Sequence, residues 1–338
     1  ETNTPDPATY EEAKPHLLPG LRHPVVFKAM ALVEGAGFDP GEAMPCRPLG
    51  PNLAVYLFVD QAHSMRYVVQ TALDRWGVTF DDAFEQALTN LRERSRAPLA
   101  QLGRGVAVST WSDSYDSARL LLSEVLAQIE APGEPVAFAP GHNTLILTGD
   151  RDEDSLSAAL RLARESWENE PRPVSVLPVV RRGSRWQELV LPRGHGCFEL
   201  LRELRVCEAA QLYEEQTPAL QSWYERRGED VYVARLMASK HTETGHFNSV
   251  AVWSKGVDTL LPQAEQIAFY DPDEGEKGKT LAMVDSDLVE SRLETHLERT
   301  DHVPKRFRVR TFPTLEAIEQ LRLLQERRAG AGAAAGRS

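Results

Sequence analysis

Residues 112–191 contain two consecutive segments of the same kind, each a helical apolar pattern followed by two short apolar runs. In the helical parts, apolar residues recur at i, i+3, i+4 and i+7, which is the spacing of one helix face. The short runs are bounded by Pro, Gly and Asn, as strands joined by a turn are. The stretch therefore predicts the order helix, hairpin, helix, hairpin. Its letters include SDSYDSARLLLSEVLAQIEAPGEPVAFAPGHNTLILTGD, DSLSAALRLARESW and PVSVLPVVRRGSRWQELVL.

The two segments align at a shift of 38 residues. This is typical of one αββ unit used twice, although helix starts and proline-led strands also coincide by chance. Either origin favours two helices that cover one face of an antiparallel sheet. We therefore expect the helix beginning at Tyr115 and the helix beginning at Ser155 to lie side by side. The aligned pairs are Asp116 with Asp154, Ser117 with Ser155, Leu122 with Leu160, Pro135 with Pro173, Val136 with Val174 and Pro140 with Pro178.

The first of these segments carries a resemblance to a known family. Tyr115-Asp116-Ser117-x-Arg119-Leu120, with residues 136–140 and 145–150, resembles the YtpQ family of bacterial proteins, a domain of unknown function. Upstream matches are Val59-Asp60, Ser64-x-Arg66 and Asn90-Leu91, so the resemblance covers residues 53–192. It implies an α+β fold and a bacterial intracellular setting, and it implies no reaction. Many relatives carry an acid where this chain has Asn143, which argues against a site that needs a carboxylate there.

The length of 338 residues predicts two domains, because one hydrophobic core rarely serves a chain of this size. The composition shifts after Pro192. We predict an α+β protein with two domains, each built on antiparallel sheets. The predicted parts are an irregular N-terminal arm over 1–20, a first domain over 21–192, a second domain over 197–327 and a disordered tail over 328–338.

Outside the central stretch, local patterns predict the remaining elements. Gly77 is expected to end a short helix that Thr71 begins, and Thr79 with Asp82 forms a capping-box pattern at the next helix start. Gln216-Thr217-Pro218 is expected to break a helical region over 197–226. The other predicted helices cover 285–297 and 313–327; the other predicted strands cover 53–59, 65–69, 105–111, 230–239, 247–253, 266–270, 280–284 and 307–312.

The net charge of −12 disfavours nucleic acids and anionic membranes as partners. Local basic clusters at Arg181-Arg182 with Arg185, and over 305–310, are interpreted as a hairpin turn and a solvated strand face. The sequence contains no apolar run of membrane-spanning length, and its three cysteines predict reduced thiols rather than disulfides, in a cytoplasmic protein. Because the first residue is Glu1 rather than Met, the sequence leaves open whether a leader peptide was removed.

Tyr115, Asp116 and Arg119 form the leading candidate site. Asp116 and Arg119 are three residues apart, so they can pair on one helix face. In the functional interpretation, Arg66, Asn90 and His142 converge on this helix start and complete a polar binding site. In the structural interpretation, which we hypothesise, Asp116 offsets the helix dipole and Arg119 pairs with it.

Other residue clusters are weaker candidates. His241, Glu243 and His246 flank a predicted turn, where the spacing does not match a zinc-protease helix. Cys197 lies beside His195 in a linker-like segment, and Asp271, Asp273, Glu274 and Glu276 form an acidic loop without the spacing of an EF-hand. The sequence contains no phosphate-binding loop and no nucleophile-elbow motif, and we predict no cofactor and no metal.

These patterns favour a non-enzymatic module that binds an unknown protein or peptide partner, because exposed sheet edges can accept a strand. The alternative is an uncharacterised enzyme, a hydrolase, with Asp116, Arg119 and His142 in one pocket. A third possibility, nucleic-acid binding, requires a contiguous basic surface despite the acidic net charge.

Overall fold

The computed structural model of the protein describes residues 6–27, 44–103, 105–240, 247–275 and 277–335. Contacts between residues divide the chain into two compact units, and the division falls between Arg205 and Val206. This point lies inside the helix Phe198–Arg226, whereas the sequence places a domain boundary between 192 and 197. The protein is α+β, as predicted, with several antiparallel sheets.

The first unit contains a four-stranded sheet, a six-stranded sheet and the helices that pack on them. The four-stranded sheet has the order β1-β3-β2, with β4 also paired to β3, and the six-stranded sheet has the order β10-β9-β7-β8-β6-β5. The strands are β1 Leu17–Arg22, β2 Arg47–Pro48, β3 Ala54–Gln61, β4 Ser64–Tyr67, β5 Ala100–Gln101, β6 Ala107–Val108, β7 Pro135–Gly141, β8 Thr144–Gly149, β9 Ser175–Arg182 and β10 Arg185–Glu188. The α-helices that lie wholly in this unit are α1 Tyr10–Ala13, α2 Gln70–Trp76, α3 Phe80–Glu93, α4 Ser123–Leu126 and α5 Glu153–Glu168, and a 3-10 helix covers Ser117–Leu121.

Strand β1 occupies a region for which the sequence predicts an irregular arm. Its leucines are fully buried, and the strand pairs with β3 along its whole length. Pro19 and Gly20 misled the prediction, since both residues are usually strand breakers. Gly20 is required here, because a Cβ at this position would lie 2.6 Å from the ring of Phe58. Pro19 lies opposite Leu57 on β3.

The helix ends of α2 and α3 largely follow the predicted capping signals. Gly77 ends α2 with a left-handed φ of 68°, the conformation that glycine adopts most easily. The Thr79 hydroxyl accepts a hydrogen bond from the Asp82 N–H, and the Asp82 carboxylate accepts one from the Thr79 N–H, which confirms the capping box. The predicted cap at Thr71 is wrong, because α2 begins one residue earlier and has no side-chain cap.

The six-stranded sheet is covered on both faces, so the predicted one-faced αββ packing is wrong. Val136 and Phe138 of β7 share a core with α5. Ala137 and Ala139, the alternate residues of the same strand, share a core with the 3-10 helix and α4. Successive side chains of a strand point to opposite faces, so the two helical segments lie on opposite sides of the sheet. The structure therefore does not support the hypothesis that one αββ unit is used twice with both helices on one face.

The predicted helix over 115–129 is also wrong. The chain forms the 3-10 helix Ser117–Leu121 and the single turn α4, and between them Leu122 is extended, with φ −92° and ψ 114°. Leu122 is nevertheless fully buried in the core shared with Ala137, so the apolar pattern identified buried residues correctly. The second predicted helix is confirmed as α5, which buries Leu156, Ala159, Leu160 and Ala163.

The second unit holds two four-stranded sheets, with orders β11-β14-β18-β17 and β12-β13-β15-β16. Each sheet contains one parallel pair, β11 with β14 and β13 with β15, and its other pairs are antiparallel. The sequence prediction missed β14, a four-residue strand that ends in Pro. Strand bounds are β11 Tyr232–Val233, β12 Met237–Lys240, β13 Phe247–Ser254, β14 Thr259–Pro262, β15 Gln266–Asp271, β16 Lys279–Asp285, β17 Glu298–Arg299 and β18 Arg306–Val309. The helices are α6 Phe198–Arg226, α7 Ser286–Arg292 and α8 Leu315–Ala335, where α6 runs into this unit from the first.

Helix α6 is continuous through Pro218, so the predicted break at Gln216-Thr217-Pro218 is wrong. The local polar groups are satisfied by other partners. The Thr217 hydroxyl donates to the backbone carbonyl of Tyr213 at 2.7 Å, and the side-chain Oε1 of Gln216 accepts from Arg306 Nε at 2.7 Å. Tertiary contacts of a buried arginine thus stabilise a helix that a proline alone would interrupt.

Helix α8 extends to Ala335, beyond residue 327 where the sequence predicts a disordered tail to begin. The alanine-rich composition of this segment favours helix. Among the apolar residues at helical spacing in this helix, Ile318 and Leu321 are buried and Leu324 is half-buried. Leu315 is 66% exposed, because it is the first residue of the helix.

Candidate functional site

Asp116 organises the loop formed by residues 111–116. Its carboxylate is fully buried and accepts hydrogen bonds from the N–H groups of Trp111, Ser112 and Asp113, at 3.2, 3.1 and 3.1 Å. Ser112 and Ser114 have φ values of 52° and 69°, so the backbone curls around the carboxylate. Three donated hydrogen bonds leave little capacity for a substrate, and Asp116 therefore holds the loop in shape.

Arg119 is fully buried and makes only intramolecular contacts. Its Nε donates to Ser95 Oγ at 2.7 Å and its Nη2 to the Arg94 carbonyl at 3.1 Å, while both Nη atoms donate to Asp113. The predicted partner Asp116 is farther away, with 3.9 Å between Nη1 and Oδ2. Burial tends to raise the pKa of Asp113, but the hydrogen bonds and charge of Arg119 outweigh it and hold that pKa below its usual range. Arg119 thus ties the 111–116 loop to the end of α3.

Tyr115 and His142 lie beside this loop with different surroundings. The Tyr115 side chain is 2% exposed, and its hydroxyl has no hydrogen-bond partner among the described residues. Burial is the main cause that raises its pKa, with a contribution from the charge of Asp60. The His142 carbonyl accepts from the Ser117 N–H at 3.2 Å, so the turn between β7 and β8 is fixed against the 3-10 helix.

The His142 ring is neutral near pH 7. Burial, followed by the charges of Arg22 and Arg172, lowers its pKa to about 4. Its Nδ1 lies 2.7 Å from Arg22 Nη1, and a guanidinium can only donate, so Nδ1 accepts and Nε2 carries the proton. Within the described part of the chain, no hydrogen bond joins this ring to Asp116 or Arg119. The three residues of the hydrolase hypothesis are neighbours in the fold, but they do not form a proton-transfer chain.

Arg66 and Asn90 have partners in other parts of the first unit. Arg66 on β4 forms an ion pair with Asp6. The Asn90 amide on α3 donates to the carbonyls of Lys14 and Leu17, at 2.8 and 2.9 Å, and thereby holds α3 against the chain that enters β1. The expected convergence of six residues on one site therefore reduces to Tyr115, Asp116, Arg119 and the His142 turn.

The weaker candidates also have structural partners. His195 Nδ1 accepts from the Cys197 N–H at 3.1 Å, and burial is the main cause that raises the pKa of the Cys197 thiol, which disfavours a nucleophilic role. Asp271 pairs with Lys255 at 2.8 Å. His241, Glu243, His246 and Glu276 lie outside the described residues. In the described ranges, no group of three or more His, Cys, Asp or Glu side chains is placed to hold a metal ion.

The local basic clusters are mostly engaged. Arg182 pairs with Asp150 at 2.6 Å, and Arg308 pairs with Asp258 and Glu229 at 2.8 and 3.0 Å. Arg306 is buried, where it donates to the carbonyls of Ala234 and Leu260. Burial is the main cause that lowers the pKa of Arg306, to about 10. A strand with these partners is not a free cationic surface.

A groove lies between the end of α7 and helix α8. Its volume is about 480 Å³, within the range typical of ligand-binding pockets. Four of its eight lining residues are leucines, and its two charged residues are arginines. The lining residues are Arg292, Leu293, Ala317, Gln320, Leu321, Leu323, Leu324 and Arg327.

The two arginines of this α7–α8 groove are exposed and form no hydrogen bond or ion pair with any described residue. Their neighbours differ: Arg322 pairs with Glu319 and Glu326, and Arg328 pairs with Asp287. Sequence reasoning missed the groove. The available signal was Leu323 with Arg327, an i, i+4 pair just outside the buried stripe of the last helix.

Comparisons with protein-family models, with curated proteins and with solved structures found no match to this chain. The resemblance to the YtpQ family therefore stays a prediction. Across the described residues, no helix combines the length and the apolar character that crossing a membrane requires.

Proposed function

We propose that the protein is a non-enzymatic binding module whose α7–α8 groove takes an acidic, amphipathic peptide segment of a partner protein. The observation that carries the proposal is a groove that combines leucines with two arginines for which the described part of the chain supplies no partner. Helix-in-groove recognition uses this combination, because the apolar face of a peptide fills the groove while its charged ends select the partner.

The charges define the class of partner. The neighbouring Arg322 and Arg328 are neutralised by ion pairs within the protein. Arg292 and Arg327 have no side-chain partner among the described residues, and a guanidinium binds a carboxylate through two parallel hydrogen bonds. A peptide with apolar residues at i, i+3 and i+4 and Asp or Glu near its ends therefore complements the groove.

The edges of the six-stranded sheet support strand addition less well than the groove supports a helix. Its edge strands, β5 and β10, have two and four residues. Such short edges present few backbone N–H and C=O groups to an added strand. This favours the groove over the sheet edges as the place where a peptide binds.

The test is selection of peptides from a random displayed library on the full-length protein. The enriched peptides are synthesised and measured by fluorescence anisotropy against wild type, against Arg292→Glu with Arg327→Glu, and against the control Arg299→Glu. Arg299 is exposed and lies outside the groove. We expect acidic amphipathic peptides whose affinity falls about tenfold or more in the double variant and changes little in the control.

Enriched peptides without acidic residues would contradict the proposal, as would equal affinity for wild type and the double variant. The melting temperature of each variant shows whether the fold is intact. Because the substituted side chains are exposed and unpaired, we expect both variants to melt within a few degrees of wild type.

A further inference from the structure

A short N-terminal segment of the chain lies against β4 and α2 in the first unit, in the manner of a bound peptide. Pro7 is buried, and its carbonyl accepts hydrogen bonds from Trp76 Nε1 at 3.1 Å and Arg75 Nη2 at 3.5 Å. The Asp6 carboxylate forms an ion pair with Arg66. An acid, a proline ring and one backbone carbonyl are thus each recognised by a different group of the surface.

The surface continues beyond this segment. A cavity of about 250 Å³ adjoins Asp6 and Pro7. Arg66, Arg75 and Trp76 contact residues 6–7 and also line the cavity. A longer extended peptide could therefore contact the same three side chains. Apolar contact comes from Val59 of β3, from Val68 and Val69 between β4 and α2, and from Ala72 of α2.

The segment is separable from the fold that follows it. Helix α1 has its own cap, because the Thr9 hydroxyl accepts from the Glu12 N–H at 3.3 Å and the Ala8 N–H donates to the Glu12 carboxylate at 2.8 Å. Asp6 and Pro7 precede this cap and contribute nothing to it. The Asp6 and Arg66 side chains are 59% and 34% exposed, and ion pairs as exposed as this one contribute little stability. Releasing residues 6–7 therefore leaves α1 and β1 with their own contacts.

We propose that Arg66, Arg75 and Trp76 form a second docking site, for an extended segment of a partner protein in which an acidic residue precedes a proline. Asp6 and Pro7 of this chain are its intramolecular ligand, and the partner's segment displaces them. Proline suits the site because it holds an extended conformation before binding, which lowers the entropic cost of recognition. The carboxylate provides the charge that the Arg66 guanidinium binds.

The experiment uses the full-length protein and a fluorescein-labelled peptide that copies residues 3–9. The double variant Asp6→Ser with Pro7→Gly removes the carboxylate and the proline ring of the internal ligand and keeps the backbone carbonyl of residue 7. Fluorescence anisotropy is expected to show binding about tenfold or more tighter to this variant than to wild type. Adding Arg66→Ala is expected to reduce that gain about two- to fivefold, whereas adding Arg151→Ala, an exposed arginine away from the site, leaves it unchanged. A peptide with Asn in place of its aspartate is expected to bind about two- to fivefold more weakly, as for an ion pair this exposed.

Equal binding to wild type and to the double variant overturns the proposal, and so does a gain that Arg66→Ala leaves intact. Sedimentation of the wild-type chain tests a different occupant. Concentration-dependent dimers that disappear in the double variant would show that the segment of a second copy fills the site, which also overturns the assignment to a partner protein. Circular dichroism spectra that match wild type confirm that each variant is folded.

Discussion

The guanidinium of Arg119 donates two nearly parallel hydrogen bonds to the carboxylate of Asp113, at 2.7 Å from Nη1 and 2.6 Å from Nη2. Arg119 is fully buried and Asp113 is 31% exposed, so removing the arginine leaves a partly buried carboxylate without compensation. We expect Arg119→Ala to lower the free energy of unfolding by about 3 kcal/mol, below the upper values for fully buried pairs. Arg119→Lys is also expected to destabilise, because an ammonium cannot reproduce the guanidinium fork. Urea unfolding of both variants, with exposed Arg96→Ala as the control, measures this, and a loss below about 1 kcal/mol for Arg119→Ala would refute it.

Asp116→Asn tests the carboxylate that accepts three backbone N–H groups. An asparagine keeps one oxygen but turns an NH₂ group toward donors, so at least one buried N–H loses its partner. We expect a loss of about 1–3 kcal/mol, well above the effect of a charge at an exposed helix end. The matched control is Asp230→Asn, at an exposed position, with an expected change within about 0.5 kcal/mol. Equal unfolding midpoints for the two variants would show that Asp116 does not organise its loop.

Gly20→Ala tests the close approach of β1 to β3. The added methyl would lie 2.6 Å from a ring carbon of Phe58, and this ring is buried. We expect overpacking to cost about 1–3 kcal/mol. Gly194→Ala is the control, because nothing lies within 4 Å of its Cβ position. Thermal melts that place the two variants together would contradict the register of β1.

Leu122→Ala is expected to destabilise the first unit by about 2–5 kcal/mol, the usual range for truncation of a buried leucine. The side chain is fully buried although its backbone is extended rather than helical. Leu323→Ala, which shortens a leucine that is 42% exposed, is the comparison. Denaturant unfolding followed by circular dichroism measures both, and an unchanged midpoint for Leu122→Ala would contradict its burial.

Stability is expected to fall as the pH decreases from about 6.5 to about 4. Burial is the main cause that lowers the pKa of His142 to about 4, and it does the same for His23 and His302. In this window the unfolded chain binds protons that the folded chain excludes, so acid favours unfolding. Each such histidine contributes a slope of up to about 1.4 kcal/mol per pH unit.

The measurement is the urea midpoint at several pH values. His142→Gln is expected to reduce the slope, while His63→Gln, at an exposed position, leaves it unchanged. Asp113 contributes in a different range: its lowered pKa supports stability above its unfolded value near 3.8, which is lost as the pH falls further. A midpoint that stays constant between pH 7 and pH 4.5 would contradict the burial of the neutral rings.

Local signals predicted the elements whose ends are set by nearby residues. The Thr79 capping box, the Gly77 helix end and helix α5 depend on contacts within a few residues of the chain. The path through Pro218 depends instead on Arg306, which lies far along the chain, and proline and glycine in β1 depend on strand pairing with β3. Tertiary contacts of this kind override local propensity and leave no short-range pattern.

The sequence predicted only part of the candidate site, because some of its contacts are tertiary. The motif around Asp116 and Arg119 marked residues that are buried and fully hydrogen-bonded, but the sequence could not reveal that Asp113 is the main partner of Arg119. One signal for the two-faced sheet was present. The runs VAFA in β7 and LIL in β8 are continuous rather than alternating, as expected for strands buried on both faces.

Strand β7 separates two cores that accept side chains of different size. Phe138 enters the core on the α5 side, whereas Ala137 and Ala139 enter the opposite one. A shift of the strand by a single residue would exchange these sets, so that a phenylalanine meets an alanine-sized space and an alanine leaves a void on the other side. Deleting one residue within β7 therefore has the same effect as turning the strand over. The side-chain volumes that the two cores accept fix the register of this strand.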